Sequence, residues 1–114
     1  MKVYDTDRQC AIVEGLEIAE DVRTRGRGLI GHKPLAPGEG MLIRPCRWIH
    51  TFSMGFPIDV AYVGRDWRVV AITENLPPGR IDRPVLRARF VIEMRAGAIR
   101  STGMAVGDHL ELRP

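Results

Sequence analysis

Residues 58–72 read IDVAYVGRDWRVVAI, and the fold class turns on how this stretch is taken. Two apolar runs rich in β-branched and aromatic residues, IDVAYV (58–63) and WRVVAI (67–72), flank Gly64-Arg65-Asp66. Three residues led by a glycine suit a β-hairpin loop, and each run has the length of a strand rather than a helix. Working outward, residues 47–54 alternate, and an apolar MLI (41–43) follows a connection marked by Pro34, Pro37, Gly38 and Gly40. Residues 10–19 place Cys10, Ile12, Leu16 and Ile18 on one side, with Glu14-Gly15 as a turn or bulge. Strand patterns recur at 85–94, which contains RFVIEM, and at 107–112 (GDHLEL). Asp21 fits an N-cap, and Val22 to Ile30 reads as one short helix closed by Gly31. Gly26 and Gly28 each cost such a helix about 1 kcal/mol. Short strands punctuated by Gly and Pro predict a mainly β, compact sandwich- or barrel-like single domain over residues 1–114, with one short helix across an end.

At 114 residues the chain can bury a core without disulfide or metal staples. Apolar residues at 45% and charged ones at 27% describe a globular protein, not a disordered one. The net charge is +3, carried almost wholly by arginine, since Lys2 and Lys33 are the two lysines. The arginines gather at Arg23, Arg25 and Arg27 and at Arg80, Arg83, Arg87 and Arg89. A nucleic-acid surface interleaves such charges with exposed aromatics, whereas the seven aromatics here fall mostly in strand patterns. The arginines therefore read as a solvated face. Two cysteines, Cys10 and Cys46, make no disulfide framework and are expected to be unpaired thiols. No stretch approaches the roughly 20 apolar residues of a spanning helix. A cytoplasmic monomer is expected, without nucleic-acid or membrane partners.

The densest potential chemistry lies in CRWIHTFSMGFPID (46–59). In an extended chain Cys46, Trp48, His50, Phe52 and Met54 would share a face. Cys46, His50 and Met54 are soft ligands, but consecutive members are four residues apart, some 13 Å along a strand at roughly 3.3 Å per residue. Neither metal nor cofactor is expected. Asp59 interrupts an apolar run just after Pro57, where a lone carboxylate is costly. It should accept hydrogen bonds from His50, Thr51 or backbone N–H groups. Glu93, in VIEMRAG, poses the same problem on a later strand. No P-loop, GxGxxG, CxxC or GxSxG pattern occurs.

The ordered series RGRGLIGH (25–32), GEGMLI (38–43), HTFSMGFPIDVAYV (50–63), WRVVAI (67–72), VIEMRAG (91–97) and GMAVGDHLEL (103–112) resembles the domain of unknown function 192 family. The resemblance runs from about residue 19 to 112 and rests on order and spacing rather than on any single piece. It implies a compact β-sandwich-like barrel and brings no established reaction. Many members are exported or lipid-anchored. Many also carry phenylalanine-tryptophan-methionine-lysine-asparagine where this chain has Thr51-Phe52-Ser53-Met54-Gly55.

The leading functional expectation is a non-catalytic module binding a small molecule or a protein. Its cleft is floored by residues 48–59, with His50, Thr51 and Asp59 as polar contacts and Trp48 and Met54 as the apolar wall. The alternative is a hydrolase using Asp59 and Glu93 as paired carboxylates, or a Cys46–His50 nucleophile pair.

Overall fold

The computed structural model describes residues 1–21, 33–52 and 54–114. Among these residues are eight strands: β1 (Lys2–Asp5), β2 (Cys10–Val13), β3 (Gly15–Ala19), β4 (Glu39–Ile43), β5 (Ile58–Gly64), β6 (Val69–Leu76), β7 (Ala88–Arg95) and β8 (Leu110–Arg113). One helix occurs among the described residues, α1 (Ala98–Thr102). The helix expected over Val22 to Ile30 lies outside the described residues.

The strands form a three-stranded sheet, order β2-β1-β8, and a five-stranded sheet, order β3-β4-β7-β5-β6. All pairings are antiparallel except β3 with β4. The expectation of a mainly β, compact sandwich- or barrel-like fold is borne out, in the form of two sheets. The break expected at Glu14-Gly15 is real and goes further than a turn, because that residue hands the chain from one sheet to the other. Gly38, at φ 84°, presents its carbonyl to the N–H groups of both Glu14 and Gly15, at 2.7 and 3.0 Å.

The five-stranded sheet is buried on both faces, and strand alternation sorts its residues between two cores. Ala61, Val63, Leu42, Phe90, Ile92 and Met94 pack against Val3, Ile12, Val13 and Leu110 of the smaller sheet and against Ile99 of α1. Ile58, Val60, Tyr62, Met41, Ile43 and Val91 point the other way, onto Leu35, Ile49 and Met54 of the connecting segments. Every residue of β5 is therefore buried, as a near-continuous apolar run should be. The β5–β6 hairpin forms where expected, with Gly64 N–H donating to the Arg68 carbonyl (2.8 Å). Trp67, however, sits in the loop at φ 65° rather than in the strand, so β6 starts two residues later than its pattern suggested.

At Gly40 the larger sheet lies close against Val13 of the smaller one. A Cβ there would stand 2.9 Å from Val13 Cγ2 and 3.0 Å from the Glu93 carbonyl oxygen, one of them rigid backbone. Gly40→Ala should therefore destabilise by about 1–3 kcal/mol through overpacking. Urea denaturation should show a lower midpoint at unchanged slope.

Candidate functional site

Asp59 lies on the first-core face of β5 and is fully buried. Its position is a bulge: Ile58 pairs with Leu76 and Val60 with Thr73, so Glu74 and Asn75 together oppose the single Asp59. The Asn75 N–H, at a residue with φ 53°, donates to Asp59 Oδ1 at 2.7 Å. Asp59 Oδ2 accepts the N–H groups of Gly97 and Ile99, both at 3.0 Å. The residue preceding α1 is Gly97, which has no side chain to cap the helix. A carboxylate some forty residues away does so instead. Of the expected partners, backbone N–H groups hold Asp59, whereas His50 and Thr51 do not.

Glu93 also proves buried, at 2% exposure, but it points the opposite way. Within the β5–β7 ladder Asp59 pairs with Met94 and Val60 with Glu93. Directly paired residues share a face, so Asp59 and Glu93 sit on opposite faces of one sheet. That geometry removes the paired-carboxylate hydrolase, which needs both acids on one substrate. No hydrogen-bond partner for the Glu93 carboxyl is found among the described residues, and burial pushes its pKa up to about 7.

Residues 47–52 do not form a strand of either sheet. They run beside residues 80–85, joined by Thr51 N–H to Arg80 O (2.8 Å), Asp82 N–H to Ile49 O (3.0 Å) and Val85 N–H to Arg47 O (2.7 Å). One isolated bridge, His50 with Ile81, completes the pairing. The alternation is genuine but faces the other way. Ile49 and Thr51 point into the second core, whereas Trp48 and Phe52 are 50% and 45% exposed. Thr51 Oγ1 donates to the Pro77 carbonyl (2.6 Å) and accepts the Arg80 N–H (2.9 Å). Met54 is buried away from the row it was expected to join. Ser53 lies outside the described residues.

Beneath this segment, Tyr62 Oη and Thr73 Oγ1 both donate to Asp82 Oδ2, each at 2.7 Å. Arg83 Nη1 lies 3.5 Å from Asp82 Oδ1. Burial, then the bond to Asp82, raises the Tyr62 pKa well above the ordinary phenol range. This cluster fastens residues 80–85 to the sheet and so fixes residues 47–52 above it.

A row of three rings remains on the outside. The Trp48 and His50 centroids are 6.0 Å apart with planes tilted by 45°. His50 stacks on Phe52 at 5.0 Å and 29°. His50 Nδ1 accepts the Phe52 N–H at 3.3 Å, and the Cys46 thiol donates to the Trp48 carbonyl at 3.1 Å. The groups of the expected nucleophile pair are thus both engaged by backbone of their own segment. No disulfide joins Cys10 and Cys46. Of the five expected ligand contacts, Trp48 and His50 share this row, and Thr51, Met54 and Asp59 serve the interior. Phe52, placed on that face by its spacing but not chosen as a contact, completes it.

Fold and surface together define a two-sheet β domain carrying an exposed aromatic ridge. The chain belongs to the DUF192 family (uncharacterized ACR), whose model matches residues 4–112. A protein of unknown function from Novosphingobium aromaticivorans has a similar structure, with a TM-score of 0.84 and 26% identity over 97% of this chain and 82% of that one. A second similar structure, described as a candidate transcription regulator from Sinorhizobium meliloti, has a TM-score of 0.79 and 25% identity over 96% of this chain and 89% of that one. No curated protein matches the chain.

Two outcomes follow from the carboxylates. Asp59→Ala leaves three N–H groups, that of Ile99 buried, without an acceptor and should cost about 2–4 kcal/mol. Asp59→Asn keeps one acceptor oxygen but turns an amide N–H₂ toward a donor, so it should cost less than Asp59→Ala and still be destabilising. Chemical denaturation of both variants orders them.

For Glu93, the folded pKa of about 7 lies above the ordinary 4.5. Below 4.5 the carboxyl is protonated in both states and costs nothing. Between 4.5 and 7 the unfolded state ionises first, and above 7 the full penalty applies. Glu93→Gln should therefore gain about 2–3 kcal/mol over the unsubstituted protein between pH 4.5 and pH 8, read from denaturation midpoints at the two pH values.

Proposed function

We propose that this protein is a non-catalytic binding module that engages a protein partner through the ridge of Trp48, His50 and Phe52. The observation that carries the reading is that two large aromatic side chains stand exposed, at 50% and 45%, beside a stacked histidine on one short segment. Ile81, across the bridge from His50, is 64% exposed and widens the apolar strip. Exposed Arg47 and Arg80 flank it. Tryptophan, other aromatics and arginine are the residues that dominate protein interfaces. The arginines favour a partner surface that is apolar and edged with acidic groups. The Tyr62–Thr73–Asp82 cluster supports the same reading, since it holds the ridge rigid before any partner arrives.

Nucleic acid fits less well. His50 and Phe52 already stack on each other, so their ring faces are partly used, whereas a base-stacking platform offers open faces. The description of the Sinorhizobium protein as a candidate transcription regulator makes nucleic acid an outcome the test must distinguish.

A displayed peptide library rich in acidic and apolar residues, screened against the purified protein, tests the proposal. Bound peptides should perturb Trp48 fluorescence. Trp48→Ala and Phe52→Ser should each weaken them by about tenfold or more. Because both side chains are exposed, unfolding midpoints should stay within about 0.5 kcal/mol of the unsubstituted protein. Peptides that bind the double variant equally well overturn the reading. So does binding confined to oligonucleotides with steep salt dependence.

A further inference from the structure

At the far end of the smaller sheet, three carboxylates converge that are not adjacent in sequence. Asp5 closes β1, Asp7 lies in the turn that follows, and Asp108 precedes β8. One oxygen from each lies within 4.8 Å of the others. The surrounding structure holds Asp5 and Asp7 by one oxygen each and Asp108 mainly through Oδ2. Asp5 Oδ1 accepts the Asp7 and Arg8 N–H groups, both at 3.0 Å. Asp7 Oδ2 accepts the His109 N–H at 2.8 Å. Asp108 Oδ2 accepts the Ala105 N–H at 3.0 Å and Arg8 Nε at 2.8 Å, and its Oδ1 meets Arg8 Nη2 only at 3.5 Å.

Asp5 Oδ2 is different. It is buried, on a residue with 0% exposure, and has no hydrogen-bond partner. A buried carboxylate oxygen with nothing bonded to it is costly. Its other oxygen is turned to the backbone, and the Asp5 carboxyl is a close neighbour of that of Asp108.

We infer that Asp5, Asp7 and Asp108 form a site for a hard divalent cation, with Asp5 Oδ2 as its innermost ligand. All-oxygen donors select Ca²⁺, Mg²⁺ or Mn²⁺ over softer metals. Ligands on opposite sides of a Ca²⁺ ion stand up to about 5 Å apart, and those around Mg²⁺ only about 4 Å. A span reaching 4.8 Å therefore favours calcium. Asp7 is exposed, which gives the ion a path in and leaves room for water to complete its coordination. The three carboxylates outweigh the single Arg8 guanidinium, leaving the four groups two charges negative. Arg8, 40% exposed, orients Asp108 from outside and can tilt away as the ion enters. An ion here would tie the β1–β2 turn to the approach of β8. The site is independent of the aromatic ridge.

Calorimetric titration of the chelator-treated protein with CaCl₂, with a parallel thermal-shift series in Ca²⁺, Mg²⁺ and Mn²⁺, tests the inference. One equivalent of Ca²⁺ should bind and raise Tm by mass action, with Mg²⁺ weaker. Asp7→Asn keeps an acceptor for the His109 N–H, so it should fold normally and lose roughly tenfold or more in Ca²⁺ affinity. Asp5→Asn should weaken binding further. Absence of heat and Tm change at about 10 mM of all three ions, well above the weakest protein calcium sites, overturns the inference. Unchanged affinity in Asp7→Asn also overturns it. So does a stability that responds to pH near 6 but not to calcium, which would mean that Asp5 and Asp108 share a proton instead.

Discussion

The Asp59 carboxylate is the junction on which the larger half of the molecule depends. Helix α1 has five residues and opens on a glycine, so nothing local stabilises its first turn. The β5–β6 ladder skips a residue at the same height and frees the Asn75 N–H. One buried acid answers both deficits. In doing so it fixes α1 against the sheet, which lets Ile99 close the first core. The acid is costly to bury alone, and three N–H donors are what make it stable there. A residue that looked reactive is structural for that reason.

Strand alternation also explains why no acid/base pair forms. Asp59 and Glu93 are a single residue out of register across neighbouring strands, close along the chain direction yet separated by the thickness of the sheet. Asp59 found donors on its side. Glu93, surrounded by Met41, Val60 and their neighbours, has no hydrogen-bond partner among the described residues, and burial pushes its pKa up to about 7.

Much of the architecture was legible in the chain. The β5–β6 hairpin, the Glu14-Gly15 break, MLI in β4 and RFVIEM in β7 all left periodic or apolar signals of strand length. Residues 47–54 misled because alternation reports two faces without saying which is inside. Trp48, His50 and Phe52 looked like an apolar wall, but the hydrogen bonds of Thr51 and the packing of Ile49 turned the other face inward. Helix α1 was missed because five residues cannot display a helical period and its cap comes from a distant strand. The acids at 5, 7 and 108 were invisible as a group, since a hundred residues separate members that only the β1–β8 ladder brings together. The Asp5-Thr6-Asp7 spacing was the one local sign.

That ladder has a kinetic corollary. In the smaller sheet β1 lies between β2 and β8, so the first strand of the chain is flanked on one side by the last. The β1–β2 hairpin can close early, but Val3 and Val13 have no complete core until Leu110 arrives. Contacts of such long sequence separation slow folding. During synthesis the amino-terminal hairpin must therefore wait, with its apolar side uncovered, until nearly the whole domain has left the ribosome. This is an interval in which a chaperone has something to hold.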